Sequence, residues 1–402
     1  METTLQDVWS ESVPVWVAFA PGLHGGIKAR ETDVHVVDSC RFFHSWSFIM
    51  GTTHLLKASC VSFFGVNERA STFVGRLLKP IASAVLVVAA SSAFAAGPTT
   101  MKIGTVVWIG YGPFYVAEAL DLYKKYNMKV SLQVFTDPAL IPSAMASGAV
   151  DGGMLTYDQV VGQVAAGQKQ KVVMPIDYSN GGDAIVADKT INKVADFKGK
   201  KIGFNPLSPS DFLLSYALKT AGLSDKDITP INMTPEGVPA AMASGQMPIG
   251  VTYEPSLSQI ISQGGGKKFK VVFSSKDAPG LIADVLVFDE KAIKAKPTEI
   301  TNIMKVYLEG MAYMKSKPDE AYKIIGKFMG VSAKEVKEQL TGVYNIPQDE
   351  MPKAFVKSTD TTSYFGSGDV IGKLLLAKGQ IKTVPATEAT FDAQFVTALT
   401  KK

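Results

Sequence analysis

A twelve-residue segment that occurs twice restricts the fold of this 402-residue chain more than any other feature. The first copy runs from Asp137 to Gly148 and the second from Thr234 to Gly245, with seven identical positions. Three further landmarks repeat in the same order: Lys-Ile-Gly at 102 and 201, Thr-Tyr followed by an acid at 156 and 252, and an apolar run led by aspartate at 183 and 284. The four matched landmarks predict two similar structural units.

Each unit has the same predicted local order. A β-rich run, Ile103 to Trp108 in the first unit and Lys201 to Phe204 in the second, leads through a Gly/Pro/Ser loop into a helix. The first turn of that helix holds Pro113 or Pro209, where proline is well tolerated. The repeated twelve residues are predicted to form a proline-opened turn and a helix that ends at glycine. Strands and helices that alternate in this way predict an α/β fold with parallel strands in each lobe.

The order of the landmarks also predicts where the lobes begin and end. The runs that start at Asp183 and Asp284 are interpreted as strands that cross between the lobes, because the landmarks of the second unit all fall between them. We therefore expect lobe two at 188–283 and a discontinuous lobe one at 101–187 plus 284–402. Loops from both lobes would line a shared cleft at the carboxyl ends of the strands. The apolar spacing after residue 296 predicts helices at 297–314, 319–329 and 333–343.

The most reactive side chains are confined to the first 80 residues. Both cysteines, all four histidines, every arginine and three of the four tryptophans lie there. After residue 96 the cationic side chains are all lysine, and Trp108 is the one tryptophan. The chain after residue 96 therefore cannot form zinc sites with nitrogen and sulfur ligands, Ser-His-Asp or Cys-His nucleophiles, or disulfides. We expect no cofactor and no metal, and a net charge of +4 is too small to indicate nucleic-acid binding.

A secretory signal peptide is predicted at residues 74–95. It has a basic start at Arg76–Lys79, an apolar run at Ile81–Ala90, and an A-x-A cleavage site that ends at Ala95. The apolar run is too short for a membrane span. The alternative is a buried core helix, but such a helix does not need small residues at both cleavage positions. Residues 1–73 show no sustained period, and we interpret them as an extension from a mis-assigned start.

Several segments resemble the periplasmic solute-binding proteins of ABC importers, in the nitrate, taurine, aliphatic sulfonate and thiamine-pyrimidine (THI5-like) group. These segments are Trp108–Ala117, the two Met-Ala-Ser-Gly helix ends, Val194–Gly203, Val251–Pro255 and Pro279–Asp284. The resemblance covers about residues 101–400. It implies a two-lobed type II fold, with a mainly parallel sheet flanked by helices in each lobe and two crossing strands as the hinge. It also implies a small-molecule ligand in the cleft, an inner-membrane permease as partner, a periplasmic location and a monomer.

Candidate ligand-binding residues follow from their positions near the predicted strand ends. They are Trp108, Tyr111, Thr156, Tyr157, Asp177, Ser179 and Asp183, then Ser208, Ser210, Tyr253 and Glu254 from lobe two, and Asp284 on the return strand. Trp108 lies on a Gly-Pro loop, where contact with a ligand explains it as well as core packing does. Asp183 and Asp284 have an alternative role in bracing the hinge. Ser208 is first a helix N-cap, and Tyr115 is either a further candidate or a core residue.

Two features disagree about the charge of the ligand. Helix N-termini near Pro113 and Pro209 would offer partial positive charge to an oxyanion. Several acids with aromatic rings suit a cation or a ring rich in N–H groups instead, and without arginine the bidentate partner of sulfonate is missing. The sequence favours a neutral, cationic or zwitterionic nitrogen compound, and a taurine-like zwitterion satisfies both features.

Three functional classes are compared. The first is a solute-binding component that captures a small nitrogen- or sulfonate-containing solute and delivers it to a permease. The second is a thiamine-pyrimidine synthase-like enzyme, but the resemblance implies that this branch is intracellular and uses an active-site histidine, which the chain lacks after residue 96. The third is a periplasmic sensor subunit that presents ligand to a receptor. We expect the first class and no enzymatic activity.

The exported protein is expected to begin at Ala96, because cleavage follows Ala95. Intact-mass spectrometry of periplasmic material checks this start. A mature mass that includes Cys40 or Cys60 would contradict the expectation.

Overall fold

The computed structural model of the chain describes residues 97–401. The predicted extension at 1–73, the signal peptide at 74–95 and the start at Ala96 lie outside the described residues. None of the helices between 97 and 401 is long and apolar enough to cross a membrane.

Two mixed β-sheets organise this part of the chain. Their strands are β1 (Thr99–Thr105), β2 (Met128–Val134), β3 (Gly152–Thr156), β4 (Gln170–Ser179), β5 (Asp183–Asp188), β6 (Lys201–Phe204), β7 (Thr229–Asn232), β8 (Ile249–Tyr253), β9 (Phe269–Ser274), β10 (Ala283–Asp289) and β11 (Val343–Asn345). The first sheet has the order β11-β4-β10-β3-β1-β2 and the second has the order β7-β6-β8-β5-β9. Three neighbouring strands run parallel in each sheet, β2, β1 and β3 in the first and β7, β6 and β8 in the second. An antiparallel strand, β10 or β5, lies next to them, and the first sheet has β11 as a second antiparallel strand at its edge.

The inner antiparallel strand of each sheet, β10 or β5, comes from the chain that has just left the other sheet. After β4 in the first sheet, the chain crosses at residues 180–182 and enters the second sheet as β5, between β8 and β9. After β9 it crosses back and enters the first sheet as β10, between β3 and β4. The aspartate-led runs are therefore equivalent strands, as the sequence repeat predicts. The lobe boundaries at 187/188 and 283/284 stay a prediction, and the sheets place β5 with the second lobe and β10 with the first.

Helices cover the faces of both sheets. They are α1 (Gly112–Ala119), α2 (Ile141–Ser147), α3 (Tyr157–Ala165), α4 (Pro209–Thr220), α5 (Val238–Ala243), α6 (Ser256–Ser262), α7 (Glu290–Ala295), α8 (Pro297–Ser316), α9 (Pro318–Met329), α10 (Ala333–Gln339), α11 (Tyr364–Ala377) and α12 (Gln394–Thr400). The repeated twelve residues form α2 and α5 with the turns before them. Gly148 and Gly245 end these segments at φ 76° and 78°, a conformation that favours glycine.

Apolar side chains lie on both faces of the inner strands. On β5, Ile185 and Ala187 belong to the large core that runs through both lobes, whereas Ala184 and Val186 pack with Val238 and other residues of a smaller core in lobe two. Side chains alternate across a strand, so a strand that is covered on both faces must be apolar throughout. This is why the crossing strands look like continuous apolar runs in the sequence.

Two sequence predictions differ in detail from the structure. The first β-rich run ends at Thr105 rather than at Trp108, so Trp108 lies on the loop that follows β1. The helix predicted at 333–343 ends at Gln339, and Val343 begins strand β11, which pairs with β4. Apolar spacing alone did not separate the end of α10 from a short edge strand.

A buried ion-pair network joins the two lobes at one edge of the cleft. The Lys378 ammonium, at the end of α11, lies 2.6 Å from Asp211 Oδ1 and 3.0 Å from Asp225 Oδ2 on the lobe-two side. The Gln380 amide donates to Asp211 Oδ2 at 2.9 Å. The Lys378 and Asp211 side chains are only 12% and 7% exposed, so each charge depends on the other for neutralisation.

Replacing Lys378 with methionine should lower the free energy of unfolding by on the order of 3–5 kcal/mol, because Asp211 would remain buried and unpaired. Urea unfolding measures the change. The matched control is Lys373→Met on the same helix, since the Lys373–Asp369 pair is 65% and 60% exposed and such pairs contribute little. Equal losses in the two variants would contradict the expectation.

Candidate functional site

A narrow cavity lies between the lobes, at the carboxyl ends of the parallel strands. Six predicted site residues line it: Trp108, Tyr111, Thr156, Asp183, Tyr253 and Asp284. Its volume is about 20 Å³, which is close to the space that a single water requires. The cleft is therefore nearly closed, and a ligand of several heavy atoms needs the lobes to move apart.

Trp108 is held in place by the core of lobe one. Its backbone N–H donates to the Tyr115 hydroxyl at 3.1 Å, and that hydroxyl donates to the Trp108 carbonyl at 2.9 Å. The Tyr115 ring stacks on Phe328 with centroids 3.8 Å apart. Tyr115 is therefore a core residue that fixes the loop, which resolves the alternative left open by the sequence. The Trp108 ring meets Tyr253 of lobe two edge-on, with centroids 5.9 Å apart.

Asp177 and Asp284 form a carboxyl pair beside Trp108. The indole N–H of Trp108 donates to Asp177, 3.3 Å from Oδ1 and 3.4 Å from Oδ2. The Tyr111 hydroxyl donates to Asp284 Oδ1. The two carboxyl groups also hydrogen-bond each other, and this requires a proton on one of them. Asp177 is thus the rear wall of the site rather than part of the cavity lining.

Gly110 is necessary for this arrangement. A Cβ atom on Gly110 would lie 2.2 Å from Asp177 Oδ2 and 2.4 Å from Trp108 Nε1, closer than real atoms approach. The loop therefore accepts no side chain where the carboxyl group and the indole meet. The sequence analysis missed Gly110, because nothing in the Ile-Gly-Tyr-Gly-Pro run shows which glycine faces a carboxylate.

The third acid, Asp183, begins strand β5 at the crossing between the lobes. Its backbone N–H donates to the Ser179 hydroxyl at 3.1 Å, and the Ser179 and Ser275 hydroxyls are 2.8 Å apart. Ser179 and Ser275 thus connect the two crossing segments, and Ser179 supports the site without lining the cavity. Asp183 does both things that the sequence left as alternatives: it lies at the hinge and it faces the cavity.

Burial dominates the electrostatics of the three acids. It raises the pKa of Asp177 to about 8 and that of Asp183 to about 7. The pKa of Asp284 is raised well above its ordinary value by burial and then by the charge of Asp177. In each case the low-dielectric surroundings disfavour the charged form. These carboxyl groups therefore hold protons close to neutral pH, and a positively charged ligand would displace them.

Lobe two contributes a hydroxyl group without a partner. Tyr253, at the end of β8, is 3% exposed, and its hydroxyl has no hydrogen-bond partner among the described residues. Ser208 is the N-cap of α4, accepting from the Ser210 N–H at 3.2 Å and donating to the Asn205 carbonyl at 2.6 Å. The buried Ser210 hydroxyl is also without a partner in this part of the chain. Buried polar groups are normally satisfied, so the Tyr253 hydroxyl, which lines the cavity, is suited to contact a ligand, whereas neither Ser208 nor Ser210 is among the residues that line it.

The structure places two predicted residues away from the cavity. The Tyr157 hydroxyl lies 2.8 Å from Thr390 Oγ1, and its ring packs against Tyr364 with centroids 4.4 Å apart. Glu254 accepts from the Ser258 N–H at 3.1 Å and from the Ser258 hydroxyl at 2.8 Å. Both residues follow a strand end in the sequence, but each lies where a helix starts, and side chains there diverge around the helix axis.

Six lining residues were missed by the sequence analysis. They are Val106, Pro138, Met154, Leu155, Gln159 and Pro209. Gln159 is the most informative: its amide donates to the Pro138 carbonyl at 3.2 Å and to the Leu207 carbonyl of lobe two at 3.3 Å. Its oxygen accepts from the Thr156 N–H in a capping box. The Thr-x-x-Gln pattern was visible in the sequence, but it indicates a helix start rather than a cleft.

No group of three or more acidic, histidine or cysteine side chains within 97–401 is arranged to hold a metal ion.

Comparison with known proteins places the chain in a family. The sequence pattern described as "NMT1/THI5 like" matches residues 108–321, which is more than half of the chain. The chain belongs to the NMT1/THI5-like family. A relative of this NMT1/THI5-like protein in Brucella abortus is named as a binding protein. It is 23% identical over 283 residues, covering 70% of this chain and 86% of the relative.

Two further comparisons agree with this family assignment. The taurine-binding periplasmic protein of Escherichia coli is 29% identical over 155 residues, 38% of this chain and 48% of the relative. The crystal structure of the periplasmic aliphatic sulphonate binding protein SsuA from E. coli has a TM-score of 0.59 at 21% identity. It covers 73% of this chain and 98% of that one. The predicted two-lobed α/β binding-protein fold is confirmed, and these relatives of the NMT1/THI5-like chain are binding proteins.

The stability of the ligand-free protein should fall as pH rises from 5 to 8. Asp177 and Asp183 keep protons in the folded protein up to pH values near 8 and 7, whereas unfolding returns both to an ordinary pKa of 3.8. The folded state binds more protons in this window, so raising the pH favours unfolding, by about 1.4 kcal/mol per pH unit for each retained proton. Thermal unfolding across this pH range measures the slope.

The variant Asp177→Asn should reduce this slope, because it removes one of the retained protons. The control is Asp188→Asn at the far end of β5. Hydrogen bonds from Thr190 lower the pKa of Asp188, so that carboxyl stays ionised throughout the window. A slope that is unchanged in Asp177→Asn would show that the carboxyl pair does not hold the proton.

Proposed function

We propose that this protein is the extracytoplasmic solute-binding component of an ABC importer. It captures a small cationic or zwitterionic nitrogen compound in the cleft and delivers it to a permease in the inner membrane. It acts in the periplasm as a monomer, and it is not an enzyme. The periplasmic binding proteins among its relatives support this proposal.

The observation that carries the ligand class is the set of buried acids without a buried cation. Asp183 and Asp284 line the cavity and Asp177 lies directly behind it, whereas no lysine is among the described residues that line it. A buried carboxylate requires a partner of opposite charge or strong hydrogen-bond donors. A ligand with an ammonium or amidinium group supplies both, and it replaces the protons that the empty site retains.

The aromatic residues support the same ligand class. Trp108 and Tyr111 of lobe one and Tyr253 of lobe two surround the acids, and aromatic faces attract desolvated cations. The Tyr253 hydroxyl, without a partner in the described part of the chain, would accept an N–H or donate to a ligand oxygen. A cation held between Asp183, Asp284 and Tyr253 would contact both lobes and thereby stabilise the closed form.

A simple oxyanion such as nitrate fits this cavity poorly. It could bind only while the three acids keep their protons, and the chain after residue 96 has no arginine to offset a carboxylate that ionises. Helix N-termini favour an anion: α4 begins at Pro209 on the lobe-two side of the cavity, and Tyr111 and Thr156, the N-caps of α1 and α3, line it as well. A zwitterion with its ammonium group at the acids and its sulfonate or carboxylate toward α4 would use both features.

Amines, guanidines, pyrimidines and taurine should therefore raise the melting temperature, whereas nitrate and simple alkanesulfonates should not. A ligand at a concentration of a hundred times its Kd adds about 2.7 kcal/mol to the free energy of unfolding. Cation binding should release protons and become tighter as pH rises through the pKa values of Asp183, about 7, and Asp177, about 8. Isothermal titration in two buffers of different ionisation enthalpy counts the protons.

The variant Asp183→Asn should weaken binding of the best cationic ligand by on the order of 1.5–3 kcal/mol, as for hydrogen bonds to charged groups. Asp188→Asn on the same strand is the matched control, because Asp188 bonds only locally to Thr190 at the far end of β5. Binding of nitrate or an alkanesulfonate with proton uptake, and no binding of any nitrogen compound, would overturn the proposal.

A further inference from the structure

A second cavity, which we call the border cavity, lies beside the ligand cavity. Its walls come from α3, from the start of α4 in lobe two, and from the segment after α11, and they include Asp158, Asp211, Ser208 and Gln380. Gln159 belongs to the walls of both cavities. The border cavity has a volume of about 190 Å³, compared with about 20 Å³ for the ligand cavity. It can therefore hold a small organic group where the ligand cavity holds one water.

Two buried carboxyl groups reach the border cavity, and only one of them is neutralised. Asp211 has the Lys378 ammonium 2.6 Å away and accepts from the Gln380 amide and from the Leu207 N–H. Asp158 is 5% exposed, and its Oδ1 atom has no hydrogen-bond partner among the described residues. A buried carboxylate oxygen in this condition is costly unless a cation or a donor reaches it.

We propose that the border cavity binds the second cationic group of an elongated ligand whose first cationic group lies at Asp183 and Asp284. This inference rests on the proposed function, and it narrows the ligand class to nitrogen compounds with a positive group at each end. The Asp158 carboxylate receives the second group, and the chain between the two groups passes the side chain of Gln159.

The two acidic positions lie at neighbouring cavities that share Gln159 as a wall. The charge of Asp158 contributes to raising the pKa of Asp183, so the two carboxyl groups act on each other through the protein. Gln159 separates the two cavities and contacts the Leu207 carbonyl across the lobe boundary at 3.3 Å. A ligand that passes Gln159 would therefore be enclosed by both lobes, with each cationic group beside a carboxylate.

The test compares α,ω-diamines of three to five carbons with n-alkylamines of the same lengths, using isothermal titration. The protein should bind the best diamine at least tenfold more tightly than its monoamine. In Asp158→Asn the ratio of diamine affinity to monoamine affinity should fall to about one, whatever the monoamine affinity of the variant itself. The control is Asp319→Asn, which removes an exposed carboxylate from the same position of a helix, the second residue of α9, and should retain the gain.

A second variant separates loss of the charge from loss of the fold. Gly162 lines the border cavity, and the nearest atom to an added Cβ is Leu375 Cδ1 at 3.9 Å, so Gly162→Leu fills the border cavity without a clash at its Cβ. This variant should bind monoamines normally and lose the diamine gain.

Monoamine binding without a diamine gain, or a gain that survives both Asp158→Asn and Gly162→Leu, would overturn the border-cavity inference and leave the proposed function intact. Absence of binding by any amine would overturn the border-cavity inference, and absence of binding by guanidines, pyrimidines and taurine as well would overturn both.

Discussion

The exchange of strands between the two sheets is the constraint on which the rest of the structure depends. Each sheet encloses one antiparallel strand between two others, and that strand arrives directly from the opposite sheet. The lobes are therefore joined by two short crossings rather than by a single linker. Both crossings begin or end at an aspartate, Asp183 or Asp284, so the hinge and the acidic wall of the cavity are the same few residues. A cation bound at these residues, as proposed, would therefore act directly on the crossings between the lobes.

The acids are buried where the crossing leaves no room for solvent. Gly110 allows Asp177 to approach the backbone of the Trp108 loop, and Tyr115 holds that loop from the core side. Asp284 then has Asp177 and Tyr111 as neighbours and no cation. The least exposed lysine among the ion pairs of residues 97–401, Lys378, lies at the edge of the cleft and neutralises Asp211 instead. The arrangement leaves the acids at the centre of the cleft without a lysine partner.

Much of the fold could be predicted from the sequence because the repeat marks equivalent elements in both lobes. Several elements depend only on residues that are adjacent in sequence. They are the strand Lys201–Phe204, the two repeated helices and the helix N-cap at Ser208. Half of the candidate site residues line the cavity because strand ends gather at one edge. Glu254 and Tyr157 do not, since their direction depends on the helix that follows each strand. Gln159 and Gly110 could not be found, because their roles depend on the opposite lobe and on a carboxylate distant in sequence.

The strand exchange also has a consequence for the order in which the chain can fold during synthesis. All five strands of the second sheet lie between residues 183 and 274, so that sheet can be completed from one continuous stretch. The first sheet cannot be completed in this way. Its strand β10 pairs between β3 and β4, and β10 is synthesised only after lobe two. Until then β3 and β4 have unpaired edges, the kind of surface that promotes association with other chains. We expect nascent chains that stop before residue 283 to need protection by a chaperone, whatever the ligand of the finished protein.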